Sequence, residues 1–404
     1  MAAKKQTKSH KSPYQKDALG FINIPSSPSK TAQEYERVAC VFQGGGALGA
    51  YQVGAYHAIH ERGYRPNFFA GVSIGAINSS IIAGNDHADQ INKLDEFWDT
   101  IAPKAWKDPI LCDYSDTVRN FHNHMGALQA LMFGLDGFFE PRLMPPLFYT
   151  ESTPDNLSYY DTCELRTTLE KLIDFDRINS KEVTLCLGAV DIASGEMTFF
   201  NNQSEEITPD HIMASCALPP AFPAVKLGDK YFWDGGIYAN TPLVTVLDAL
   251  PEENTLCFVI DCFSLKGELP KTMDDVEERQ KDIRYASHSR RLTNIYTSRQ
   301  NLQVAITVLG YHLTPEAKKN PAIQELIELG HEKRFSVVHM INKGNAFNHS
   351  FKDYNFVRTA INRRRETGYK EANAVLDKPD WEKKSTRKLA CSIYGVPLNY
   401  FDQK

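Results

Sequence analysis

The chain has 404 residues, more than one ordinary core needs, and this length points to two domains. Its 45 Lys and Arg stand against 50 Asp and Glu, a formal charge of −5 at pH 7, which argues against a protein built chiefly to bind nucleic acid. No apolar run reaches the length of a membrane-spanning helix, and the eight cysteines show neither C-x-x-C nor metal-ligand spacing, so they read as reduced core thiols.

Residues 1–36 read as a disordered basic tail, because Lys4, Lys5, Lys8, Lys11 and Lys16 are followed by prolines and not by the apolar stretch of a secretion signal. Sec export is not expected. The expected location is cytoplasmic, with a peripheral position at a membrane and a non-Sec export route left open. Order is expected from Arg37. Arg37 to Phe42 reads as a strand, Gln43-Gly44-Gly45-Gly46-Ala47-Leu48-Gly49 as a loop, and Ala50 to Arg62 as a helix.

Consecutive glycines leave backbone N–H groups uncovered beside a helix N-terminus, which makes an anion site without any side chain. The anion can be a phosphate or a transient oxyanion. Gly44-x-Gly46-x-x-Gly49 satisfies the dinucleotide fingerprint, but the next strand should end on an acid that holds a ribose, and Gly71-Val72-Ser73 stands there. No G-K-[ST] follows, which excludes a P-loop.

Asn67 to Ala70 reads as a second strand and Ala76 to Ala83 as the next helix, so Gly71-Val72-Ser73-Ile74-Gly75 lies at the turn between them. Small residues let such a turn be sharp and leave the serine hydroxyl at the bend. Two readings of Ser73 stay open from this segment alone: a nucleophile, or a cap for the helix it precedes. Parallel neighbouring strands would bring Ser73 and the Gly44 to Gly46 amides to one sheet edge, where an attacked carbonyl could place its charge on those amides.

Residues 106–160 form an irregular insertion whose apolar stretch, Ala127 to Leu135 with Phe138 and Phe139, either lines or covers an acyl-chain site or packs as a buried helix on the sheet. Val183 to Val190, Met197 to Asn201 and Thr255 to Asp261 read as further strands. Lys230-Tyr231-Phe232-Trp233-Asp234-Gly235-Gly236 breaks an apolar run with one acid. Asp234 there is either a partly desolvated base or the start of an Asp-Gly turn. Among His57, His60, His122, His124, His211, His288, His312 and His339, none stands in a recognisable strand-end setting to serve a serine. Beyond Leu265 long charged helices are expected over Asp274 to Gln300, Ala317 to Gly330 and Asn355 to Ala374. Arg290-Arg291 and Arg363-Arg364-Arg365 there read as solvated faces or as contacts for lipid phosphates or an acidic partner.

Taken together, the glycine loop, the G-x-S-x-G serine and the later D-G-G acid resemble the patatin-like phospholipases. The segments Ala214 to Pro223 and Asn240-Thr241-Pro242 also look like that family's surroundings of the acid. The resemblance covers about Arg37 to Phe263. It implies a three-layer α/β/α fold with a mostly parallel central sheet over residues 37–265, and a mainly helical C-terminal domain over 266–404 like one that accompanies some bacterial members. It also implies a Ser–Asp dyad without histidine: Ser73 as nucleophile, Asp234 as base, Gly44, Gly45 and Gly46 as oxyanion donors, and Gly71, Gly75, Gly235 and Gly236 as motif support. Family members often carry a basic residue in the glycine loop, where this chain has Leu48.

The expected activity is carboxylic-ester hydrolysis of the phospholipase A or lysophospholipase type on a lipid or membrane-surface substrate, with no metal or organic cofactor. A protein partner for the C-terminal domain is left open. Alternatives are an esterase on neutral lipid or hydroxyalkanoate oligomers, a silent scaffold, and a His-dependent α/β-hydrolase.

Overall fold

A computed structural model describes residues 35–103, 116–144, 151–248, 254–330, 335–344, 351–379, 381 and 391–395. The expected tail up to residue 34 and parts of the apolar insertion, 104–115 and 145–150, lie outside them. The chain opens with β1 (Arg37–Phe42), α1 (Gly49–Glu61), β2 (Phe68–Gly71) and α2 (Ile74–Ala83), the βαβα unit that the sequence predicts. Next come α3 (Gln90–Ile101), α4 (Asp116–Phe133), β3 (Glu140–Pro141), β4 (Tyr160–Asp161), α5 (Cys163–Leu172) and α6 (Phe175–Asn179). The middle of the chain supplies β5 (Thr184–Asp191), β6 (Met197–Asn201), α7 (Pro209–Cys216), β7 (Val225–Leu227), β8 (Lys230–Asp234), α8 (Leu243–Asp248) and β9 (Thr255–Asp261). The last part holds α9 (Met273–Tyr311), α10 (Pro315–Lys318), α11 (Pro321–Glu328), β10 (Phe335–Ile341), α12 (Arg358–Leu376) and β11 (Cys391–Tyr394).

The main sheet runs β11-β10-β9-β1-β2-β5-β8-β7, with β6 also paired to β5. From β11 to β5 every pairing is parallel, and β6, β8 and β7 close the other end antiparallel. Parallel strands need both faces covered, and β1 and β9 are buried along their whole length. Val38, Cys40 and Phe42 face the core shared with α1, α2 and α3, whereas Ala39 and Val41 face Leu243, Val246 and Leu247 of α8. The architecture is the expected α/β/α arrangement with a mostly parallel sheet.

Beyond residue 265 the long helix α9 fits the expected helical texture, capped at its start by Thr272, whose side chain accepts from the Asp275 N–H. The helix expected over Ala317 to Gly330 divides into α10 and α11, and Pro321 starts the second piece at a position where its missing N–H costs nothing. Two strands were not expected. β10 pairs with β9 from Phe335↔Thr255 to Ile341↔Asp261, and β11 extends the edge, so one sheet crosses the boundary drawn at 265. α12 crosses α1 closely: a Cβ on Gly54 would overlap the Arg365 carbonyl, and one on Gly368 the Tyr51 carbonyl.

Six described cysteines are buried and free, as their apolar settings suggest, and Cys163 is exposed. No helix among the described residues is long and apolar enough to cross a membrane.

Candidate active site

Register brings the motifs together. Phe42 at the end of β1 pairs with Gly71 at the end of β2, so the glycine loop and Ser73 leave the same sheet edge side by side. Gly71 is level with Leu187 of β5, and Ala189, two residues further along, is level with Asp234 of β8. Ser73 lies two residues past Gly71 and therefore arrives at the height of Asp234. Both residues line one cleft, and the Ser73 hydroxyl is near enough to Asp234 to favour its carboxylate.

The cap reading of Ser73 finds no bond to support it. The residue occupies the N-cap position of α2, yet its side chain makes no cap hydrogen bond. Its backbone sits at φ 57°, ψ −132°, a strained conformation for a residue with a Cβ and typical of a nucleophile elbow. Gly71 and Gly75 permit the bend, because a Cβ on Gly71 would overlap the Gly75 carbonyl and one on Gly75 would overlap the Phe42 carbonyl. Relief of that strain is measurable. Ser73→Gly is expected to be more stable than Ser73→Ala by about 1 kcal/mol, since both lose the hydroxyl but only glycine accepts a positive φ freely. Equal thermal midpoints for the two variants would remove the strain argument.

Asp234 is 1% exposed, and burial pushes its carboxyl up to about 6 against the lowering effect of the nearby Ser73 hydroxyl and of its bond from the Gly236 N–H, at 2.7 Å. The Asp-Gly turn and the desolvated acid are thus one object: the turn bond holds the carboxylate and leaves it in reach of the serine. Gly235 is fixed by packing, its Cβ position lying 2.5 Å from the Gly188 carbonyl.

The segment before the acid ties both residues down. The Ser73 N–H donates to the Ser215 carbonyl at 3.1 Å and meets Ser215 Oγ at 3.2 Å, while the Cys216 thiol donates to the Ser73 carbonyl and the Asp234 N–H to the Ala217 carbonyl. Ser215 Oγ donates in turn to the Gly188 carbonyl at 2.7 Å.

The glycine loop needs one correction. The Gly44 N–H is taken by the Asn240 carbonyl at 3.0 Å, and the Asn240 side-chain amide donates to the Gly44 carbonyl at 2.8 Å, so Gly44 has no donor to offer an oxyanion. Its role is steric: a Cβ there would overlap Asn240 Oδ1 and stand 3.1 Å from Ser73 Cβ. Gly45 and Gly46 make no N–H bond to any described residue, and both line the cleft with Ser73 and Asp234. Gly46 has φ +54°, and its Cβ would overlap the Asp353 carbonyl.

That carbonyl accepts the Ala47 N–H at 2.8 Å, and the buried Arg364 guanidinium donates to the Ala47 carbonyl at 3.2 Å and to the carbonyls of Asn355 and Lys352. A cation reaches the loop after all, from α12 instead of from Leu48, which is fully buried. Burial lowers Arg364 to about 10, which still leaves it charged at neutral pH. Neither reading of the Arg363 to Arg365 run fits Arg364, and Arg365 pairs with Asp95. Asn240, Ser215, Asp353 and Arg364 bear no local signal of these roles, although the first two lie in segments that the sequence already set beside the acid.

Much of the remaining cleft wall is apolar. Leu131, Phe138, Phe139, Phe222 and Phe356 line it, and Phe138 is 6% exposed. Phe133, on the same apolar stretch, is 72% exposed and does not line it, so the insertion serves the cleft wall through one part and faces outward with another.

A family model described as patatin-like phospholipase matches residues 40–247, just over half of the chain. The chain belongs to the patatin-like phospholipase family. A second model, described as patatin phospholipase, matches residues 283–388, so the helical C-terminal region of this family member has a family match of its own. No curated protein matches the chain. Among solved structures, VipD from Legionella pneumophila is 15% identical, with 92% of this chain and 72% of that one covered and a TM-score of 0.36. Human GIVD cytosolic phospholipase A2 is 10% identical, with 87% and 60% covered and a TM-score of 0.39. ExoU from Pseudomonas aeruginosa, solved with SpcU, is 15% identical, with 60% and 47% covered and a TM-score of 0.26. The family assignment rests on the match over 40–247, and this membership supports a hydrolase acting on lipid esters.

Proposed function

We propose that the protein is a lipid acyl hydrolase of the phospholipase A or lysophospholipase type, working through Ser73 and Asp234. The observation that carries this reading is the strained Ser73 set beside a buried carboxyl whose proton affinity burial has raised. Asp234 accepts the Ser73 proton as Oγ attacks the ester carbonyl, and the amides of Gly45 and Gly46 take the oxyanion, each worth a few kcal/mol of barrier. Collapse expels the alcohol, which leaves with the proton from Asp234. Water then attacks the acyl-enzyme, gives its proton to Asp234, and the fatty acid departs as Ser73 regains that proton. The apolar wall of Phe138, Phe139 and Phe222 suits an acyl chain.

Wild type is expected to release fatty acid from mixed phospholipid and lysophospholipid vesicles at a rate unchanged by a chelator, and Ser73→Ala to release about 10³-fold less or none. Full activity in folded Ser73→Ala would sink the serine mechanism. Loss on chelation with recovery on adding calcium would sink the cofactor-free one.

A further inference from the structure

Residues 351–355, just before α12, hold the glycine loop by their backbone. The Asp353 carbonyl accepts from the Ala47 N–H at 2.8 Å, and the carbonyls of Lys352 and Asn355 accept from the Arg364 guanidinium at 2.6 and 2.7 Å. Side chains of the same segment turn to α9, where Glu278, Lys281 and Asp282 share one helix face through their i, i+3, i+4 spacing. The Lys352 ammonium, on a side chain 5% exposed, donates to Glu278 at 3.0 Å and to Asp282. Lys281 donates to both carboxylate oxygens of Asp353, at 2.7 and 2.9 Å. Tyr285, a little further along that face of α9, lines the cleft that holds Ser73.

The proposed hydrolysis uses none of these charges directly, and stability is a poor explanation for them. A buried lysine between two carboxylates loses much of its attraction to desolvation, and apolar residues of similar volume often serve a fold as well or better. The glycine loop, by contrast, needs to be positioned from outside, because Gly44, Gly45 and Gly46 carry no side chains to pin their own backbone. Gly46 lies hard against its brace, since a Cβ built on it would overlap the Asp353 carbonyl.

We infer that Lys352 is a positioning residue for ester hydrolysis. Clamped between Glu278 and Asp282, it holds the Asp353 carbonyl where that carbonyl sets the Gly45 and Gly46 amides at the oxyanion. Sliding residue 352 along α9 would strip charge-assisted bonds from buried groups, so the clamp resists displacement more than an apolar contact does. The inference rests on the oxyanion role proposed above for those two amides. Lys352 itself does not line the cleft, and its effect is geometric: donors misplaced by about 1 Å can cost on the order of 10²-fold in rate.

The test compares the full chain with Lys352→Met and with a triple variant, Glu278→Gln with Asp282→Asn and Lys352→Met, which removes all three charges together. Fatty-acid release from mixed phospholipid and lysophospholipid vesicles gives kcat and KM per active enzyme, counted by end-point labelling of Ser73 with a fluorophosphonate. Hydrogen exchange followed by mass spectrometry reads the peptide that contains the Ala47 N–H. The triple variant is expected to melt near wild type, with kcat lowered at least about tenfold, KM changed less than about twofold, and the Ala47 peptide exchanging at least about tenfold faster. Should Lys352→Met fail to fold, the triple variant and Lys281→Met, which releases the Asp353 side chain, carry the test. A folded triple variant with wild-type kcat, or with wild-type exchange at Ala47, would overturn the inference. So would a loss of rate matched by a loss of labelled Ser73, which marks unfolded enzyme and not a misplaced loop, or a rise in KM at unchanged kcat. Faster exchange at Ala47 beside a wild type that hydrolyses neither lipid would sink the hydrolase reading and the catalytic half of the inference, and would leave the brace standing.

Discussion

Asp234→Asn is expected to cut ester hydrolysis by about 10³-fold while leaving the protein folded and, at neutral pH, no less stable than wild type. Asparagine keeps the oxygen that accepts the Gly236 N–H at 2.7 Å but cannot accept the serine proton. Wild-type activity needs the carboxylate, which burial holds back until about pH 6, so kcat/KM is expected to rise tenfold per pH unit below that point and to level off above it. Stability moves the other way. A carboxyl raised from its ordinary value near 4 to about 6 stabilises the fold fully below the ordinary value, and that contribution is lost as pH climbs through 6. At pH 7 wild type therefore carries a buried charge costing roughly 3 kcal/mol that the asparagine variant lacks, and the two should converge near pH 4. Thermal melts and pH–rate profiles of both proteins check this. A flat rate profile between pH 5 and 7, or an active Asp234→Asn, would refute the role given to Asp234.

A chain ended after residue 270 is expected to yield no cooperatively folding protein, although it would hold Ser73, Asp234 and the whole glycine loop. It would strip β10 from β9 along the pairing Phe335↔Thr255 to Ile341↔Asp261, leaving a central parallel strand as an open edge. It would also uncover α1, where Ile361, Ala372 and Leu376 of α12 belong to the same core as Tyr51, Ala55 and Ala58. Burial of that kind is worth about 25 cal/mol per Å² of apolar surface, and its loss over a whole helix and two strands exceeds the 5–15 kcal/mol margin of an ordinary domain. Circular dichroism melting of the shortened chain is the check, and a sharp transition near that of the full chain would show that the first part stands alone.

Much of the site was legible because its signals are local. Gly71, Ser73 and Gly75 sit within one turn, and a βαβ unit of ordinary length sets their height relative to Gly44 and Gly46 through sheet register. The acid was legible from its apolar run and double glycine. The status of Gly44 was not, because its N–H is consumed by Asn240, 196 positions away, and no local pattern encodes such a pairing. β10 escaped because seven residues with His339 in their midst look weak as a strand until Asp261 of the neighbouring strand accepts from Nδ1 of the ring. For the same reason His339 was passed over as lacking a strand-end setting; it does not line the cleft that holds Ser73. Arg364 was hidden in a charged run, and charge runs usually face water.

The bracing of the glycine loop has a consequence for the order in which the molecule is made. Arg364 trails Ala47 by 317 positions, and a ribosome adding about 5–20 residues per second needs roughly 15–60 seconds to bridge that gap. From the addition of Asp234 until that of Asp353, about 6–24 seconds at the same rate, the nascent chain contains Ser73 and Asp234 but neither Asp353 nor Arg364 to hold the loop between them. The glycine loop can therefore take its braced form only after residue 364 has been added, long after the strands on either side of it.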